Sequence, residues 1–491
     1  MLSGSRRLLD GQIPHRDYVS LRPVGTHLLH AHFLLWAGDR LIWWSRSAAW
    51  IEWAATAWLW VRIVETRMAP FASSSARWAA AFTAFAATAN QFPSMPWNTT
   101  DGVLFVTLGV YLHALGRGPA GLLLLGCSSL FRQNFTVVLP AFLLLLGEGR
   151  KIRSWILVAF PGALYAAFLL ATGAWSDAWS QMSSRGSFLS ALLNFRVSPE
   201  RFACGAVVAF LATSLFGRYP RAAGLLLLAA LVATTYRPER SSAGTYYGWF
   251  PLGLALGAIP YHVVRDPRAA WTGLLAALLA WTASISEGAP IPDLGSAGTV
   301  VWLSMLVSRA VDLPRSAVSA LLLLAVFAGV DLHRFRTLSV YYDRPASDLT
   351  VGLDGIFPGA KGIRTNERTA RFLEERRQAI EVALARKGRI LAVPDAPQYW
   401  ATSAQPNLLS CDWPINGELK HPPVRARVLS DVDAARGRAA AVVSKYKAWE
   451  IAYYDSPYVV GEEHFSGSEV RDRIVQGWTK VWENHDYAVY E

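Results

Sequence analysis

The chain has 491 residues, 53% of them hydrophobic and only 17% charged, with a mean hydropathy of +0.24. Soluble domains carry roughly 25% charge, so this composition excludes a wholly water-soluble protein and assigns most of the chain to lipid. The formal charge of +11 is also uneven: 25 Lys and Arg stand against 15 Asp and Glu ahead of Arg334, and 22 against 21 from there on. A basic excess confined to the apolar part is the loop bias of a polytopic membrane protein. No basic-aromatic signature accompanies it, so nucleic acid is not an expected partner. Cys127 and Cys204 lie in apolar runs and Cys411 in the polar tail, which gives no disulfide framework.

The chain opens on a polar stretch, "LLDGQIPHRDYVSLRPVGTHLL", residues 8–29, with no signal-peptide core before it. The following "RPVGTHLLHAHFLLWAGD" reads as an amphipathic helix near a membrane interface. Apolar runs then occur at 41–64, 76–92, 102–115, 120–130, 135–146, 152–172, 202–216, 222–236, 246–259, 269–285, 297–307 and 316–330. About twelve spans are expected. Residues 120–146 read as two short helices or one long one, and Pro140 with Arg132, Gln133 and Asn134 favours a break.

If 41–64 runs inward, alternate loops carry thirteen Lys and Arg, among them Arg62, Arg77, Lys151 and Arg265, against six in the opposite set. The positive-inside bias therefore puts residues 1–40 and the tail outside. An external start with nothing upstream to carry it across leads to the expectation of a further helix ahead of Met1. The tail reads as a soluble α/β domain. "RTARFLEERRQAIEVALARKG" has helical spacing, while "RILAVPD", "AAAVVSKY" and "YAVYE" are strand candidates. No GxGxxG fingerprint is present, so nucleotide binding is not supported.

Two carboxylates on the expected outer side invite chemistry. Asp17 follows Arg16 in the opening loop, and in isolation suits a solvated pair as well as a functional group. Asp101 ends "PSMPWNTTDG" at the start of a span, where it suits an N-cap and also the rule that ionisable groups at membrane depth have partners or functions. Outer-side arginines at 132, 185, 237 and 240 suit a phosphate through their planar forks. Tyr246 and Tyr247 suit either sugar stacking or the interfacial aromatic belt. Possible metal ligands at His15 and Asp17, and at Glu462, Glu463 and His464, form no complete set. No cofactor follows, and a divalent cation stays an open alternative. The sequons at Asn98 and Asn134 carry little information.

The opening loop resembles that of polytopic glycosyltransferases of the GT-C fold that use polyprenyl-phosphate sugars, in which "G-x-P-Y-x-D" precedes "P-P-G-T-Y-L" and an interfacial helix ending in glycine. Gly11, Pro14, Asp17, Pro23, Gly25, Thr26 and Gly38 match. His15 and His27 stand where the family has tyrosine, and Val24 where it has the second proline. "WNTTDGVLFVTLGVYL" is similar to the second acidic position of that family, and "SLFRQNFTVVLPAF" to a segment with a basic residue ahead of a proline-containing helix.

The resemblance implies a polytopic α-helical membrane domain at 1–333, with the external loop and interfacial helix at 1–40, and an extracytoplasmic α/β domain at 334–491. It implies multi-pass residence in the cytoplasmic (inner) membrane and inverting transfer from a polyprenyl-phosphate-linked sugar donor to a glycan, lipid or protein acceptor. Asp17 would be the general base and Asp101 a second catalytic carboxylate. His15, Arg16, Arg132, Arg237, Arg240, Tyr246 and Tyr247 would bind the donor. A transporter of lipid-linked sugar and a non-catalytic membrane scaffold are the alternatives.

Overall fold

The computed structural model describes residues 1–90, 93–183, 198–235, 249–285, 292–310, 314–338, 340, 343–446, 451 and 468–491. It is mostly helical with a small sheet, and the chain groups into two compact units. One comprises residues 48–165 and 186–339, the other 1–47, 166–185 and 340–491. This grouping differs from the expected one, because the first 47 residues cluster with the tail and not with the apolar helices.

The helical unit takes its elements from the apolar runs. Each of the twelve anticipated runs is matched by a helix, from Leu41–Arg67 and Ser74–Ala89 to Ala297–Ala310 and Pro314–Leu338. Local chemistry sets their ends. Pro199 and Pro267 open helices where a missing N–H costs nothing, and the Ser73 hydroxyl accepts from the Ala76 amide at 3.1 Å. Residues 118–145 are broken. Gly118–Cys127 passes through a 3-10 turn at Ser128–Leu130, and Gln133–Leu145 begins after extended Arg132. Pro140 lies inside the second helix and not at the break.

Small residues let these helices meet backbone to backbone. A Cβ on Gly253 would lie 2.1 Å from the Phe202 carbonyl oxygen, and one on Gly109 would lie 2.7 Å from that of Gly121. Trp53, Trp60, Trp302, Phe135 and Phe142 fill the core, and the Trp302 indole donates to the Ala269 carbonyl at 2.9 Å. Among the described residues two helices, Ile152–Ala171 and Arg315–Leu338, are long and apolar enough to cross a bilayer. Along the first, Ile152, Ile156, Phe160, Leu164 and Phe168 form an exposed apolar stripe at four-residue spacing.

In the other unit a four-stranded sheet runs in the order Ile390–Val393, Ala440–Ser444, Tyr487–Tyr490, Lys480–Glu483. The first pair is parallel and the others antiparallel. Strand alternation sends Ile390, Ala392, Ala440 and Val442 to one face, where Phe372, Ala379, Ile380 and Ala383 of helix Glu367–Lys387 cover them. Leu391, Val393, Ala441 and Val443 go to the other face, against Val424, Val428 and Val432 of helix Pro422–Ala435 and Val470 and Ile474 of helix Ser468–Gly477. The result is a three-layer sandwich. Asn366 caps the first of these helices, and Gly388, in the left-handed region at φ 68°, ends it. Asp395 follows the strand Ile390–Val393. Its carboxyl is pushed up to about 6 by burial, against the opposing pull of Arg376 and a hydrogen bond from Trp413.

The opening segment is built into this sandwich. Leu21 joins the core with Leu391 and Val428, and the Val19 amide donates to the Ser410 carbonyl at 2.7 Å. Arg7, 5% exposed, donates to Asp412 at 2.7 Å and to the Leu409 carbonyl at 2.5 Å.

Candidate functional site

The structure divides the described candidate residues into two sets. His15, Arg16 and Asp17 belong to the unit that contains the sheet, and Asp101 and Arg132 to the helical unit. Arg185, Arg237, Arg240, Tyr246, Tyr247 and the Glu462–Glu463–His464 run lie outside the described residues.

Asp17 closes a turn. Its backbone amide donates to the Ile13 carbonyl at 2.8 Å, and its carboxylate accepts from the Ile13 amide at 2.7 Å and from the Arg16 guanidinium at 2.9 and 3.2 Å. Arg16 above all, with the Ile13 amide and nearby Arg427, holds this carboxyl below its usual range. A carboxylate stabilised in this way is a poor base. Arg16 also donates to the Thr172 carbonyl at 3.1 Å, so its guanidinium is already engaged.

His15 is fully buried, with a backbone φ of 69°, unusual for a residue other than glycine. Its Nδ1 meets Gln181 Oε1 at 3.2 Å, and its carbonyl accepts from Gln181 Nε2 at 2.8 Å and from Arg427 at 2.9 Å. Burial pushes the imidazole down to about 4, so it is neutral at physiological pH. Each member of this trio is therefore engaged in holding the turn, and the three do not form a ligand set.

Asp101 stands in a different setting. The expected N-cap role is corrected, because the helix begins at Asn98, directly after extended Trp97, and so places Asp101 within the first turn. Asn98, Thr99, Thr100 and Asp101 are all buried to 2% exposure or less. The Asp101 carboxyl shares a hydrogen bond with Glu52 of helix Leu41–Arg67, and their oxygens lie within 4.8 Å. The pair also offers two oxygens to a divalent cation.

Arg132, 8% exposed, reaches the same turn by donating to the Thr99 hydroxyl. Gly102 lets the Phe135 ring pack onto the turn, since a Cβ there would fall 2.2 Å from a ring carbon. Asn134 donates through Nδ2 to the Thr282 carbonyl at 2.6 Å. Around this turn Asn98 Oδ1 and Nδ2, Thr100 Oγ1 and Asn134 Oδ1 are buried with no protein partner, a state that costs about 1–3 kcal/mol per group. The burial of Asn98 and Asn134 also rules them out as glycan acceptors in the folded chain.

Sequence reading missed Glu52. The available signal was a single carboxylate in the middle of an apolar helix, which calls for a partner. It also missed the clasp of the last apolar helix, where Arg336 lies 4.8 Å over the Trp50 ring and donates to the Ala89 carbonyl, while Asn90 donates to Asp331 at 2.6 Å. The helical unit holds an apolar cavity of about 730 Å³, lined by Leu145, Phe202, Trp249, Trp271 and Trp281 among others.

In the sheet unit Glu375, His485 and Asp486 gather within 4.8 Å. Their charge is already compensated. Arg368 donates to both Asp486 oxygens at 2.6 Å, and Glu375 accepts from the Asp486 amide at 2.7 Å. No family model, curated protein or solved structure matches the chain.

Proposed function

We propose that the protein is a multi-pass membrane glycosyltransferase of the GT-C type that moves a sugar from a polyprenyl-phosphate carrier to a hydroxyl of an extracytoplasmic glycan, lipid or protein. Its residence in lipid is supported by the two long apolar helices and by the outward stripe from Ile152 to Phe168, a surface that water would not tolerate over such a length. The observation that carries the activity is the buried first turn of Asn98–Ala114. There a carboxyl pair, Asp101 and Glu52, and an arginine, Arg132, converge on one turn of the helical unit.

In this reading the acceptor oxygen attacks the anomeric carbon from the side opposite the phosphate. The new glycosidic bond forms as the bond from carbon to phosphate oxygen breaks, and its electron pair leaves with the phosphate. Arg132 offsets the charge gathering on that group, since a guanidinium stays charged even when buried. The acceptor proton passes to the Asp101–Glu52 pair. Asp17, held by Arg16, shapes the loop and is not the base.

A second reading, transport of the lipid-linked sugar, is favoured by the 730 Å³ apolar cavity. Reconstitution of the full chain in vesicles with a fluorescent polyprenyl-phosphate sugar and a panel of acceptors separates the two. Formation of a glycosidic bond that Asp101→Asn abolishes supports the transferase. Movement of intact carrier between leaflets without a bond being formed supports transport.

A further inference from the structure

We infer that the donor sugar is neutral and rich in hydroxyl groups, and that Asn98 is the side chain that reads it; this rests on the transferase reading above. Asn98 is 1% exposed, yet neither atom of its amide has a protein partner. It stands three residues before Asp101 on one helix, and a separation of three places two side chains on neighbouring positions of one face. Thr100 Oγ1 and Asn134 Oδ1 are equally buried and equally unpartnered, and their segments also carry Asp101 and Arg132.

The chemistry of these atoms sets the ligand class. An amide offers two N–H donors and two oxygen lone pairs, a threonine hydroxyl one donor and two lone pairs, and a sugar hydroxyl both donates and accepts. Asn98 can therefore pair with two adjacent hydroxyls at once, while Asn134 Oδ1 serves a further one. All four unpartnered atoms are neutral. A uronate or an ammonium sugar would leave its charge against a polar but uncharged surface, which is costly in a buried site. Arg132 serves the phosphate, and the carboxyl pair serves the acceptor proton. The placement of Asn134 supports the same use, because its Nδ2 is fixed on the Thr282 carbonyl and only the oxygen is left to offer.

The test measures binding to the full chain in detergent, using a short polyprenyl phosphate alone and the same carrier bearing a neutral hexose, a deoxyhexose, a uronate or an amino sugar. The neutral hexose should add roughly tenfold or more to the affinity of the bare carrier, and each missing hydroxyl should cut that gain. Asn98→Leu, close in size, should erase the gain while leaving bare-carrier affinity intact. The melting temperature should hold or rise, because an amide without partners contributes nothing to the fold.

The inference is overturned if the gain survives in Asn98→Leu, if the uronate or amino sugar gains more than the hexose, or if the variant loses bare-carrier binding and stability together. Binding of the bare carrier with no gain from any sugar sinks the sugar-reading role and leaves the transferase reading standing. Failure of wild-type protein to bind carrier or conjugates removes both.

Discussion

Glu52 and Asp101 come from different helices and meet through a hydrogen bond between their carboxyl groups, both buried within the helical unit. Neither can be replaced without leaving the other in a changed electrostatic setting. Asp101→Asn and Glu52→Gln should each lower transfer by roughly 10²–10⁴-fold. The double variant should be little worse than the more damaging single one, because the two act as a unit. A transfer assay on the reconstituted chain, with membrane insertion checked in parallel, measures both statements.

Asp17→Asn should behave differently. The carboxylate is anchored by Arg16 and the Ile13 amide, and its partner is largely exposed. The expected loss is at most about 1 kcal/mol of stability, with transfer kept to within about threefold. Complete loss of transfer with unchanged carrier binding would return the role of base to Asp17.

In the sheet unit Asp395 makes stability depend on pH in a defined direction. Its folded-state value of about 6 lies above the ordinary 3.8, so between these values the folded state keeps a proton that the unfolded chain releases. Stability should therefore be highest below about pH 4 for this group and fall as pH rises towards 6. Asp395→Asn should flatten that slope and gain roughly 1–3 kcal/mol at pH 7. Denaturant midpoints measured from pH 4 to 7, on wild type and variant, decide it.

Arg368→Met should be damaging. Asp486 is fully buried, and the variant removes both of its hydrogen bonds to Arg368. The expected cost is about 3–5 kcal/mol, with partial recovery when Asp486 is also changed to leucine. Calorimetry of the full chain should show one transition lowered and then partly restored. A variant that melts like wild type would contradict the compensation described for this cluster.

What the sequence showed of all this follows from the range of each interaction. Apolar runs and their proline and glycine boundaries are local, and so each of the twelve runs was legible as a helix, although helices Trp249–Arg265 and Pro314–Leu338 continue six and eight residues past the expected ends. The strands Ile390–Val393, Ala440–Ser444 and Tyr487–Tyr490 were legible for the same reason. The order in which the strands pair has no local signature and was not. Nor was the Glu52–Asp101 meeting, which joins positions 49 residues apart. Asp101 was singled out correctly as a residue to examine, but its cap role failed because the helix extends back to Asn98. Four atoms on Asn98, Thr100 and Asn134 became notable only once their lack of partners could be seen.

The joining of Arg7, Val19 and Leu21 to Asp412, Ser410 and Leu391 bears on how the molecule is made. A ribosome releases Leu21 long before Leu391 exists, and at roughly 5–20 residues per second the interval is tens of seconds. Throughout that time Arg7, Val19 and Leu21 lack the partners that hold them in the sandwich. The sandwich can close only after the last strand, Tyr487–Tyr490, has been translated. Nascent chains stalled anywhere before that strand should leave Arg7 and Leu21 accessible to protease, and release of the finished chain should protect them in a single step.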